Sequence, residues 1–294
     1  MILSEHSTST DMTNRLYISD LDGTFLRNDA MISNYSKQKL NELLSEGLNF
    51  TVASARNVHS VRSLFNGIDL RLPVIGSNGA YISEFKTGAP LMINAIDSSV
   101  VREIFSMIKI HNSIPFVTSH NGMEDCLYFT DISNEGMLWY LNERTRAGDR
   151  RLRRTTNVEE KLDERIICLN VISRKEEIED LFSDVLTQFA DHVEINYFEN
   201  PYSPGWQWMT IYDRRATKDF AIRELIEMVD LRVDELIVFG DNHNDISMFN
   251  IATKAVAVRN APDEVKSHAS ETIGTNEEDC VIDYIADDVK RIRC

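Results

Sequence analysis

No run in this 294-residue sequence is both long and apolar enough to span a bilayer. The residues after Met1-Ile2-Leu3 turn polar through Asn14, which leaves no apolar segment of the kind a secretory signal needs. Cysteine is sparse: Cys126, Cys168, Cys280 and Cys294 stand far apart, so neither a short-spaced thiolate metal site nor a disulfide framework is expected. A reducing cytoplasm is the simplest location for such a chain. Positive charge is scarce as well, with 31 Lys and Arg against 47 Asp and Glu and a formal charge of -16. Nucleic-acid binding gains its affinity from cations that neutralise phosphates, so that class is excluded and a small ligand is expected. No internal repeat is present. The length exceeds one usual core, and a hydrophobic content of 43% can fill two.

The pattern along the chain divides it. Strand and helix signals alternate in the first third: Leu16 to Ser19 as strand, Ser36 to Ser45 as helix, Asn49 to Ala53 as strand, Val58 to Phe65 as helix and Leu72 to Gly76 as strand. The last third resumes the alternation, with a helix from Lys218 to Met228, a strand from Leu236 to Phe239, a helix from Ile246 to Ile251 and a strand from Ala255 to Val258. Such alternation implies parallel crossovers, so the two ends read as halves of one doubly wound α/β sheet of Rossmann-like type. Between them the texture becomes α+β, with helices over Val100 to Ile110 and Glu176 to Phe189 and β-type segments around Cys126 to Thr130, Ile166 to Val171 and Trp208 to Ile211. The expected organisation is a tail over 1–14, a core from 15–83 and 213–294, and an inserted domain over 84–212.

The chemistry concentrates at strand ends. Asp20-Leu21-Asp22-Gly23-Thr24 follows the apolar run Leu16-Tyr17-Ile18, and open α/β sheets place ligands at the carboxyl ends of their strands. Gly23 and Thr24 bend the chain so that both acids can meet one centre, and a hard cation is the natural group to hold them together. A second acidic cluster, Gly240-Asp241-Asn242-His243-Asn244-Asp245, follows Ile237-Val238-Phe239 and belongs at the same sheet edge. Ser54 follows Phe50 to Ala53, Arg56 comes two residues later, and Lys218 opens a helix as the chain returns from the insert. Strand-end acids, a hydroxyl and a lysine make a phosphate site with Mg2+, which keeps phosphate oxygens in its shell.

These residues resemble the haloacid dehalogenase-like hydrolases, and among them the Cof-type phosphatases with a large inserted cap. The likeness runs over almost all of the chain after the tail. It is carried by Asp20 to Thr24, Ser54-Ala55-Arg56, Lys218, and Gly240-Asp241 through Asp245, with Ser77-Asn78-Gly79-Ala80 and Ala257-Val258-Arg259-Asn260-Ala261 as subfamily features. The resemblance implies that Asp20 is a nucleophile forming an aspartyl-phosphate, and that Asp22 protonates the leaving oxygen and later activates water. It implies that Asp20, the Asp22 backbone carbonyl and Asp241 hold Mg2+. Backbone N–H groups at Leu21 and Ala55, with Ser54, Lys218 and Asn244, would cradle phosphate, supported by Arg56 and Asp245. Asp22, kept near other acids and partly desolvated, is expected to have a raised pKa. Two departures stand out, Ala55 and Asp219, where relatives have Gly; Asp219 puts negative charge beside Lys218.

The implied activity is a Mg2+-dependent phosphatase of small phosphorylated metabolites, sugar phosphates before flavin or pyridoxal phosphates. A phosphosugar mutase and a non-catalytic sensor are the alternatives. His243 reads as solvent-facing. The six arginines Arg144, Arg146, Arg150, Arg151, Arg153 and Arg154 read as a solvated loop, or else as a device that steers anions. Trp206 and Trp208, with Tyr202 and Phe198, read as core of the insert in preference to a substrate pocket.

Overall fold

A computed structural model describes residues 14–200 and 203–293. Most of the expected tail and Tyr202 lie outside them. In chain order, the first part holds β1 (Arg15–Ser19), α1 (Asn34–Ser45), β2 (Phe50–Val52), α2 (Val58–Leu64), β3 (Val74–Gly76), β4 (Tyr81–Ser83) and β5 (Pro90–Ile93). Next come α3 (Ser98–Ile110), β6 (Pro115–His120), β7 (Asp125–Phe129), α4 (Glu135–Arg146), β8 (Leu152–Arg154), β9 (Arg165–Ser173), α5 (Lys175–Phe189), β10 (Val193–Glu199) and β11 (Gln207–Asp213). The last part holds α6 (Lys218–Met228), β12 (Glu235–Gly240), α7 (Ile246–Phe249), β13 (Lys254–Ala257), α8 (Asp263–Ser267), β14 (Glu271–Thr272) and α9 (Cys280–Arg293).

Ile93–Ala216 form one compact unit, and the described residues on either side of it form the other. The split unit is built on a 5-stranded parallel sheet in the order β14-β13-β12-β1-β2, extended past β2 by a parallel bridge from Ala53 to Ile75. Strand β1, interior to the sheet, is buried on both faces, with Leu16, Tyr17 and Ile18 fully covered, as expected where helices pack both sides of a parallel sheet. Side chains at Asp288 and Tyr17 tie α9 to that strand: the Tyr17 hydroxyl donates to Asp288 at 2.8 Å. Along α9, Val281, Ile282, Ile285 and Val289 enter the core, each contributing about 1.5–3 kcal/mol by burial. Helix starts follow local chemistry. The Ser33 hydroxyl accepts from the Ser36 N–H at the head of α1, and the Asn57 amide oxygen accepts from Ser60 at the head of α2.

The other unit is a 6-stranded sheet in the order β10-β11-β9-β6-β7-β8, antiparallel except for the β7–β8 pair. Helices α3 and α5 cover one face through Val101, Ile104, Ile178, Leu181 and Val185. Helix α4 covers part of the other with Met137 and Tyr140 against Phe116, Ile172 and Trp208. The tryptophan is therefore core, packed edge-on to Tyr140 at 5.1 Å, while Phe198 stacks on its outer side and stays half exposed. The arginine run is largely neutralised in place. Arg146 pairs with Glu143, Arg151 with Asp149, Arg153 with Glu124 and Arg154 with Asp131. Part of the run, expected to be loop, is the edge strand β8.

Candidate active site

The sheet register brings the sequence-distant acids together. Beyond the last residue of each strand the ladder continues by one bond: Asp20 N–H donates to Phe239 carbonyl at 2.9 Å, and Ala53 N–H to Ser19 carbonyl at 3.0 Å. Asp20, Ser54 and Asp241 thus leave neighbouring strands at the same edge. A turn through Ser77, Asn78 and Gly79 closes the site from the β3 side. Gly79 has φ +99°, and a Cβ there would lie 2.2 Å from the Thr217 carbonyl, so only glycine lets this turn pass the residue that precedes Lys218.

Lys218 is the electrostatic centre. Its ammonium, fully buried, donates to Asp20 Oδ1 at 2.7 Å and to Asp245 Oδ1 at 2.5 Å. Its carboxylate partners are these two and not the adjacent Asp219. Burial alone would lower the lysine pKa, but Asp20 and Asp245 outweigh it and raise it. Asp20 is raised as well, but there burial wins: with Asp245 and Asp241 nearby, it pushes the carboxyl up to about 7 against the pull of Lys218. Burial likewise pushes Asp241 up to about 6, opposed by the hydroxyl of Thr24, which donates to Asp241 Oδ1 at 2.7 Å.

One carboxylate oxygen from each of Asp20, Asp241 and Asp245 lies within 4.8 Å of the others. The three are not equivalent. Asp245 has Oδ1 on Lys218 and Oδ2 accepting from the N–H groups of Asp241 and Asn242 at 2.8 and 2.9 Å, so its oxygens are already engaged. For Asp20 and Asp241 the donors reach Oδ1. Over Asp241 Oδ2 stands Gly23, at φ +76°, where a Cβ would come within 2.4 Å of that oxygen. Two carboxylates with oxygens to give, in a cradle that a side chain would fill, fit a hard divalent cation. Asp245 fits the part of counter-ion to Lys218.

Asp22 departs from expectation. Its side chain is about half exposed, 52%, and forms a two-bond ion pair with Arg56, Nε to Oδ2 at 2.7 Å and Nη2 to Oδ1 at 2.6 Å. The Gly23 bend turns Asp22 to the guanidinium and not into the acidic cluster. Ser54 is buried and its hydroxyl accepts from the Arg56 N–H at 3.2 Å, which fixes the arginine's backbone. Leu21 is buried beneath the turn and Ala55 is exposed at the edge. Asn244 donates to Asn78 Oδ1 at 3.0 Å, while its own amide oxygen is buried without a partner among the described residues. His243 is exposed and reaches Glu264 at 3.0 Å, away from the acids.

A model of the family described as haloacid dehalogenase-like hydrolase matches residues 17–285. The chain belongs to this family. Among its relatives, the 5-amino-6-(5-phospho-D-ribitylamino)uracil phosphatase YitU of Bacillus subtilis is 25% identical over 283 residues, covering 90% of this chain and 94% of that protein. The pyridoxal phosphate phosphatase YbhA of Escherichia coli is 23% identical, covering 93% and 98%. The crystal structure of TM0651 from Thermotoga maritima superposes with a TM-score of 0.74 at 25% identity, over 91% of this chain and 95% of that one.

Within this haloacid dehalogenase-like hydrolase, the structure adds residues to the site that sequence reasoning did not place there. Thr24 was visible as part of the first motif but gave no sign of its bond to Asp241. Asn78 belongs to the Ser77-Asn78-Gly79-Ala80 segment, yet only the fold brings it to Asn244.

Proposed function

We propose that the protein is a Mg2+-dependent phosphatase of small phosphorylated metabolites, with sugar and polyol phosphates as its favoured class. The observation that carries this reading is the buried Lys218 ammonium held between Asp20 and Asp245 at one end of the sheet, with Asp241 beside it. A carboxylate attacks a phosphate dianion poorly because like charges repel, and a fixed buried cation reduces that repulsion where the local dielectric is low.

The Asp20 carboxylate attacks phosphorus and forms an aspartyl-phosphate as the ester oxygen departs. Asp22 gives that oxygen its proton and later takes one from the attacking water, so the products are alcohol and inorganic phosphate with Asp20 restored. To do so Asp22 must release at least one of its two bonds to Arg56. Ser54 and Asn244, with the N–H groups of Leu21 and Ala55, receive the phosphoryl oxygens. Asp20, the Asp22 carbonyl and Asp241 would hold Mg2+, which supplies positive charge beside those oxygens. The polyol preference draws support from YitU, whose named substrate carries a phosphoribityl group. The inserted segment, which folds as the compact unit Ile93–Ala216 and not over the expected 84–212, is assigned the selection of substrate.

A phosphate-release screen with Mg2+ over an aryl phosphate and a panel of sugar, polyol, flavin and pyridoxal phosphates tests the proposal. Release by the wild type and none by Asp20→Asn is expected. No release from any member of the panel overturns it.

A further inference from the structure

Asn260, the exposed asparagine of the Arg259-Asn260-Ala261 segment after β13, has both ends of its carboxamide committed. Nδ2 donates to the Gly23 carbonyl at 2.7 Å, and Oδ1 accepts from the Asn276 N–H at 3.1 Å. One partner can only accept and the other can only donate, so the orientation of the amide is fixed. Asn276 extends the contact. It is buried, and its Nδ2 donates to the Leu26 carbonyl at 2.9 Å and to Asn28 Oδ1 at 3.1 Å. The Asn28 N–H in turn donates to Glu277 at 2.5 Å. Two asparagines from the C-terminal part of the chain thus hold the loop that begins with the two acids.

The held peptide is the one that faces Asp241. Gly23 is left-handed and faces Asp241 Oδ2, which a Cβ there would meet at 2.4 Å, and Thr24 binds Asp241 Oδ1. The Gly23–Thr24 unit is therefore gripped from two directions, by Asn260 at its carbonyl and by Asp241 at its hydroxyl. Rotation of this unit would move the preceding Asp22 carbonyl and release Asp241.

We infer that Asn260, backed by Asn276, is a positioning residue for the divalent-cation site: by fixing the Gly23 carbonyl it sets the Asp22 carbonyl and the Asp241 carboxylate in register. This rests on the metal-binding part of the proposed function. Outer groups that orient metal ligands typically matter by about 10–100-fold in affinity.

Titration calorimetry with Mg2+ alone, on wild type, Asn260→Ala and Asn260→Asp, tests it, with melting curves in chelator as a check on folding. Asn260→Ala loses both bonds. Asn260→Asp keeps the acceptor for Asn276 but sets an oxygen against the Gly23 carbonyl, while its added negative charge attracts a cation. If Asn260 acts through the turn, both variants bind Mg2+ about tenfold more weakly, the aspartate despite its charge. A variant that folds and binds Mg2+ as tightly as wild type overturns the inference, and so does an aspartate that binds more tightly. Calorimetry does not depend on turnover. A wild type that binds Mg2+ yet releases no phosphate overturns the phosphatase reading and leaves this test intact; one that binds no Mg2+ overturns both.

Discussion

Replacing Lys218 by Met keeps an unbranched side chain one atom shorter and removes the charge on which two buried carboxylates depend. Asp20 is 6% exposed and Asp245 is fully buried, and each loses a bond of 2.7 or 2.5 Å to the ammonium. Breaking a buried ion pair from one side costs about 3–5 kcal/mol, because the remaining charge stays in a poorly solvated place. Here two carboxylates are orphaned beside Asp241, so a loss of about 4 kcal/mol is expected at pH 7, a large part of an ordinary domain's stability. The sign of the pH dependence follows from the same geometry. Burial already pushes the Asp20 carboxyl up to about 7 with the lysine in place, and without it the folded-state pKa rises further. A raised carboxyl pKa penalises the folded state progressively above the unfolded value of about 4; wild type shares that penalty up to about pH 7 and the variant carries it further, so the Asp20 part of the deficit is constant below pH 7 and grows above it. Urea unfolding in chelator at several pH values measures this. The double variant Lys218→Met with Asp245→Asn supplies a control, since an asparagine carbonyl can still accept from the Asp241 and Asn242 N–H groups while its amide faces Asp20. It should regain at least about 1 kcal/mol of the loss. A single variant within about 1 kcal/mol of wild type at pH 7, or a deficit that ignores pH, would refute the argument that Lys218 neutralises this cluster.

Three further outcomes follow from the geometry of the same unit. Gly23→Ala forces a Cβ into a left-handed turn at a cost of about 1–2 kcal/mol and against Asp241 Oδ2, so Mg2+ affinity measured by calorimetry should fall at least about tenfold. Arg56→Ala removes a half-exposed ion pair, so melting should shift by less than about 1 kcal/mol equivalent. Because Asp22 must leave Arg56 before it delivers a proton, alkyl phosphates, whose poor leaving group needs that proton, should not lose more activity than aryl phosphates in this variant; a selective loss for alkyl phosphates would refute that restraint. For Asp279, burial would raise the carboxyl pKa, but bonds from Arg27, Ser33 and Ser36 outweigh it and hold it below the usual range. A depressed folded pKa contributes stability that is present above pH 4 and lost as pH falls through the folded value. Asp279→Asn, which tolerates the left-handed backbone there (φ 54°), should be about 1–2 kcal/mol less stable at pH 7, with the gap closing toward pH 3 in thermal melts.

The strands that carry the acids were readable from sequence because burial on both faces makes them near-continuous apolar runs, and a parallel sheet then dictates that Asp20, Ser54 and Asp241 share an edge. Strand β8 was not readable. Its residues Leu152-Arg153-Arg154 sit on a sheet edge, where nothing forces apolar alternation, and two arginines are held by acids 29 and 23 residues away that no local pattern reveals. The partner of Asp22 was hidden for a related reason. Which group a carboxylate meets depends on which way a bend turns the side chain, and Gly23 aims Asp22 at a guanidinium 34 residues on, not into the acidic cluster its sequence neighbours suggest. The braces are the least legible of all, since an asparagine after a strand is statistically a turn residue whatever it touches. Asn260 and Asn276 acquire meaning only when the fold sets a carbonyl from residue 23 and one from residue 26 against their amides. Groups that react announce themselves by their type, whereas groups that aim them are distinguished only by what they face.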